Sequence, residues 1–198
     1  AATASASAQT GTMTFDVLST AATHRTLLSG AVSSAQALTN GPVTFTRADG
    51  TTSTIDLSAA TTMSELVSTI NASAPLGVKA IAVKISDDAY RLSLSASESG
   101  SGAAFTVAGL DPALGTSAVA TQGADAVIKI GSADTDVVSS STNTFTDVLP
   151  GLTFTVTKPE TGVTVSVGRD TSTMTSQVQS PVGALNTALG TITSKSTY

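Results

Sequence analysis

The chain has 198 residues, 14 Asp and Glu against 9 Lys and Arg, a formal net charge of −5 and a pI near 4.6. It has no cysteine and one histidine, which removes disulfides, thiolate nucleophiles, Cys-ligated metals and imidazole clusters; without a basic run or basic-aromatic stripe it also lacks a nucleic-acid surface. Charged residues are 12% and aromatics 4%, while 35 Thr and 28 Ser make up about a third of the chain, so the core must be light and β-branched and the surface built from hydroxyls.

Residues 1–9 are small and polar without periodicity, the composition of a flexible lead-in. From Thr12 the pattern alternates, with Met13, Phe15 and Val17 on one face of a half-buried strand. VTFTR at 43–47 and TSTIDL at 52–57 flank Asp49-Gly50 and predict a β-hairpin. Thr62-Met63-Ser64-Glu65 is a capping box, and Met63, Leu66, Val67 and Ile70 then form one apolar stripe, stopped by Pro75 and Gly77. Val78–Ile85 and Tyr90–Leu94 alternate around Asp87-Asp88, and a Ser-Gly-Ser-Gly stretch at 99–102 leads to Phe105-Thr106-Val107. Hairpin, helix, hairpin is an α+β module over 27–120.

After Gly123 the text is purely β: Ala126–Ile130, Val137-Val138, Leu152–Val156 and Val163–Val167, broken at Pro150-Gly151 and Lys158-Pro159-Glu160. The strand at 12–18 has no neighbour to pair with, so it is expected to join this later sheet. The fold class is therefore mainly β with an α+β insertion: a discontinuous β domain from 10–26 and 121–170, and an inserted domain at 27–120. From Thr171, Met174, Val178, Val182, Leu185, Leu189 and Ile192 recur at near-heptad spacing on one helical side, the candidate packing face of the chain. Pro181 either kinks this helix or follows a second cap at Ser180.

Candidate chemistry is sparse. His24, the only imidazole, has no nucleophile elbow to serve and reads as a surface or capping residue. Asp87-Asp88 and Asp134-Thr135-Asp136 read as solvated turn acids, since an EF-hand loop needs more oxygens and a distal Glu. A glycosidase pair would lack aromatic platforms, the glycines of 100–102 lack the Lys of a phosphate loop, Asn71-Ala72-Ser73 reads as a helix end rather than a glycosylation site, and Asp170 reads as a helix cap beside Arg169. No catalytic, cofactor or metal site is expected. There is no run of about 18 apolar residues and no signal-peptide pattern, so no membrane partner is expected.

Three stretches resemble one family. GTMTFDVLSTAATHRTL at 11–27 resembles the strand plus LAxAH opening of the flagellar filament cap family, hook-associated protein 2. TIDL, MSELVSTINAS, GVKAIAV and AYRLSLSASESG within 54–100 resemble its flagellin-hook module. STNTFTDVLPGLTFTV and VTVSVGRD within 126–170 resemble its S-N-T-x-x-D-V-I-P-G and V-x-V-x-R-D signature, with Leu149 in place of the usual Ile; Gly30–Gly41 has no counterpart.

The resemblance covers about 10–198 and implies a two-domain head with a C-terminal helical stub, 171–198, the start of a leg that is otherwise missing. It implies a non-enzymatic extracellular protein at the flagellum tip, exported by the flagellar secretion apparatus without a cleaved signal. There it retains flagellin and promotes its folding and polymerisation, as needed for filament elongation. Its implied partners are flagellin, other hook-associated proteins and further copies in a ring, with the stub-bearing fragment monomeric when dilute. The alternative is an extracellular adhesin or glycan-binding β module, which would have no use for the stripe at 174–192.

Overall fold

The structure, a computed structural model, describes residues 1–73, 77–131, 133, 135–169 and 172–196, with side chains given outside 172–180. Pro75, Asp134 and Asp170, and the side chains of Met174 and Val178, lie outside the described residues.

The expected flexible lead-in is instead tied down. Ala2–Ala4 form β1, antiparallel to Leu152–Phe154, and the Ser5 amide donates to the Gly151 carbonyl at 2.9 Å. Nothing in the local composition favours a strand here; the pairing comes from 150 residues away. Gly11–Ser19 form β2, whose alternation buries Phe15 and Val17 and leaves Thr12 and Thr14 in solvent.

The chain then enters a second unit. Thr23–Leu28 form β3, and an isolated bridge pairs Ala22 with Ala124 just before it. Pro42–Arg47 (β4) and Thr52–Asp56 (β5) form the expected hairpin, with Val43 opposite Ile55 and Phe45 opposite Ser53. Met63–Ala72 form α1; Thr62 Oγ1 accepts from the Glu65 amide at 3.3 Å and the Glu65 carboxylate accepts from the Thr62 amide at 3.1 Å, closing the capping box. Met63, Leu66 and Ile70 are buried and Val67 is half-buried, as the stripe predicts.

Asn71 does more than end this helix: its amide donates to the Ala80 carbonyl and accepts from the Ala80 N–H, both at 2.8 Å. Val78–Ser86 (β6) and Ala89–Ser99 (β7) form the second hairpin, Phe105–Ala108 form β8, and Ser117–Thr121 form β9, an all-exposed strand without local signal. One sheet runs β6-β7-β3-β9 and the other β5-β4-β8, with α1 packed against β6. Leu28, Val43, Phe45, Leu57, Leu66, Ile70, Leu92 and Leu94 are among the core residues of this unit.

Back in the first unit, Ala126–Ile130 (β10), Val137–Ser140 (β11), Thr144–Thr146 (β12), Leu152–Thr155 (β13) and Glu160–Val167 (β14) complete two sheets, β11-β10-β2-β14 and β1-β13-β12. The early strand β2 thus sits between β10 and β14. Phe15, Ile128, Phe145, Leu152 and Phe154 fill a separate core, with the Phe15 and Phe154 rings 4.9 Å apart. Hydroxyl pairs such as Thr14 with Thr164 at 3.1 Å and Thr12 with Ser166 at 3.0 Å link β2 and β14 on the exposed face, as the composition demands. Ser172–Ser196 form α2, one helix running through Pro181, so no second cap forms at Ser180. No helix among the described residues is long and apolar enough to cross a membrane.

Candidate functional site

Two features stand apart from ordinary core building: the neck between the two units and the apolar side of α2. At the neck the Ala22 amide donates to the Ala124 carbonyl at 2.9 Å, and the Ala22 carbonyl accepts from both Ala124 and Gly100 amides at 3.2 Å. Asp125 accepts from the Ser101 amide at 2.8 Å and the Ser101 hydroxyl at 2.7 Å. Those two bonds, the hydroxyl first, hold its carboxyl below the usual carboxylate range. Gly100 has φ of 104°, and a side chain there would strike Ser141 and Asp125; a Cβ on Gly123 would meet the Gly100 carbonyl at 2.7 Å. Close backbone approach, rather than loop flexibility, explains these glycines.

His24 belongs to this neck and corrects the expectation of a surface or capping residue. It is 2% exposed, its Nδ1 accepts from the Gly123 amide at 3.3 Å, and its ring meets Phe105 edge-on at 5.1 Å. The period-two series His24, Thr26, Leu28, all buried, was the signal for its burial. No serine hydroxyl reaches it among the described residues, so no triad forms. Asp88 is occupied as a turn acid, accepting from the Ser34 hydroxyl and amide, and no group of acids able to hold a metal occurs among the described residues.

On α2, Val182, Leu185, Leu189 and Ile192 are 52%, 61%, 52% and 63% exposed. Thr187, Thr191 and Thr193 turn their hydroxyls back onto the Gly183, Thr187 and Leu189 carbonyls, each at 2.9 Å, satisfying polar groups within the helix. What remains outward is an aliphatic seam at spacings of three, four and three. Each of these side chains would contribute roughly 1.5–3 kcal/mol if fully buried. Neither unit covers the seam among the described residues.

Residues 123–198 match the family described as flagellar hook-associated protein 2 C-terminus, and residues 42–98 match the flagellin hook IN motif. Residues 123–198 belong to the flagellar hook-associated protein 2 family. No curated protein matches the sequence of the chain. Three solved structures share the fold of the whole chain. The Escherichia coli flagellar cap protein FliD D1-D2-D3 domains align at a TM-score of 0.76 and 23% identity, over 98% of this chain and 70% of that one. FliD (HAP2) from Pseudomonas aeruginosa PAO1 aligns at 0.73 and 24% over 100% and 96%, and the Serratia marcescens FliD D2-D3 domains at 0.72 and 21% over 85% and 98%.

Proposed function

We propose that the chain works in a flagellar filament cap, at the filament tip, where a ring of copies retains exported flagellin and promotes its folding and polymerisation. The two separately cored units act as two head domains, the α+β one inserted in the β one through the neck at Ala22 and Ala124. The observation that carries this reading is the family match over 123–198, a segment that includes the whole uncovered seam of α2. A cap must grip a filament and other subunits. A heptad-spaced aliphatic face supplies a helix-packing surface for that grip, while hydroxyl-covered sheets supply weak polar contacts that break and re-form as the tip advances.

The role is structural, with no chemistry assigned to His24 or to the turn acids. The route to the tip is the flagellar secretion apparatus. Alone and dilute, the 198-residue chain is expected to be monomeric, with rings requiring a covered α2 seam. Immunogold electron microscopy with antibody against this chain tests the location: label confined to distal filament tips supports the reading, and label spread along filaments or over the cell body removes it.

A further inference from the structure

The edge of the β6-β7-β3-β9 sheet carries an unused binding geometry. The Asn71 amide reads both backbone groups of Ala80, which fixes the outward direction of the edge at even-numbered residues of β6. The next outward positions are Ala82 and Lys84. Among the described residues no hydrogen bond reaches their outward N–H and C=O groups, since the recorded pairing of β6 is to β7 alone. Edge strands are ordinarily blunted by charge, proline, a bulge or a covering element; here Asn71 covers Ala80, and the exposed Lys84 with the bulge between Lys84 and Ser86 bounds the open stretch at its other end.

Beside the same residues lies a cavity of about 300 Å³, walled by Met63 and Val67 of α1 and by Ala82 and Tyr90, with Ser34 and Ser64 also lining it. On the opposite face of β6, Ile81, Val83 and Ile85 stand exposed in a row. Open backbone groups, a side-chain pocket between helix and edge strand, and an apolar row on the other face are together the requirements for strand addition.

We infer that the β6 edge at Ala82–Lys84 binds an extended peptide segment of a partner protein as an added antiparallel strand. The residue opposite Ala82 is aliphatic and enters the cavity between α1 and β6. Two residues before it, opposite Lys84, stands a carboxylate. Lys84 lies 3.5 Å from Asp87 with both side chains exposed, a pair worth little and readily exchanged. The residue between them is β-branched and covers Val83 on the far face.

The open edge spans Ala82–Lys84, about 10 Å of strand. An opening of this length, with the exposed Lys84 charge at one end, matches a single extended strand carrying a carboxylate, whereas a stable globular interface takes about 800 Å² on each partner.

The test uses the whole chain and a blocked peptide, Thr-Glu-Val-Leu-Thr, followed by amide and methyl NMR. The peptide should shift the amides of Ala82 and Lys84 and the methyls of Val67, and replacing its Glu by Lys should weaken it. Ala82→Pro removes an outward N–H without touching the ladder to β7, and Val67→Trp fills the cavity while leaving the edge intact. Each should weaken binding by about tenfold or more. Absent shifts, shifts elsewhere, or unchanged affinity in Val67→Trp would overturn the inference. So would concentration-dependent self-association of the peptide-free chain that Ala82→Pro abolishes, because the occupant would then be a second copy.

Discussion

Asp125, at the return into the β unit, holds both the amide and the hydroxyl of Ser101, which lies in the inserted unit. This carboxylate is a charged tie across a neck that also holds backbone contacts at Ala22, Gly100 and Ala124, the Gly123 amide on His24 and the Ser99 hydroxyl on the Ser141 carbonyl, and it gives the neck a predictable response to acid. Its folded pKa is lowered relative to the unfolded chain, so its contribution is full above about pH 4 and is lost as pH falls through the folded value. Asp125→Asn keeps one acceptor and removes the titration. Thermal melts between pH 5 and pH 2 should show a shallower loss of stability in the variant than in the parent chain; equal slopes would remove Asp125 from the neck's acid response.

Gly123 faces the Gly100 carbonyl too closely for a side chain. Gly123→Ala should displace the neck strands and weaken the link between units while each core survives. Hydrogen exchange would report it as faster exchange of the Ala22 and Ala124 amides, with the amides of Leu94 and Ile128 still protected. Unchanged exchange at Ala22 and Ala124 would show that the neck tolerates the added methyl group.

Leu66 is fully buried beneath α1. Leu66→Ala should destabilise the inserted unit by roughly 2–5 kcal/mol, the range for emptying a core leucine site. Asn71→Ala should cost less in packing but leave both backbone groups of Ala80 without their side-chain partner, about 1–3 kcal/mol if they stay buried. Denaturant unfolding of the two variants compares these directly.

Much of this architecture was written locally. The 42–56 hairpin has an Asp-Gly turn between alternating strands, and α1 has a capping box ahead of a four-residue stripe, so each was legible without knowing its neighbours. The 78–99 hairpin was legible for the same reason. The elements that escaped are those whose structure is conferred from afar. Ala2–Ala4 is a strand because Leu152–Phe154 offers it an edge, β9 because Arg25–Leu28 does, and β12 is too short to show a period. His24 looked exposed because its neighbours Thr23 and Arg25 are polar; its burial follows from the strand parity that ends at Leu28. The neck was invisible because its parts, Ser101 and Asp125, are common turn residues that gain meaning only when brought together.

The seam of α2 is exposed in the isolated chain, so acidic replacements there should leave its fold intact. Leu185→Asp with Leu189→Asp should leave the unfolding of both head units unchanged in circular dichroism, because neither side chain belongs to either core. In the full-length protein the same pair should abolish ring formation in light scattering. Normal rings from the double variant would place the assembly contacts in the head units instead.

Deleting the full-length gene and assaying flagellin in the culture medium, with electron microscopy of the cells, tests the cap function most directly. The account predicts abundant monomeric flagellin outside the cells, few or no filaments, and recovery on restoring the gene. Filaments of normal length in the deletion strain would contradict it.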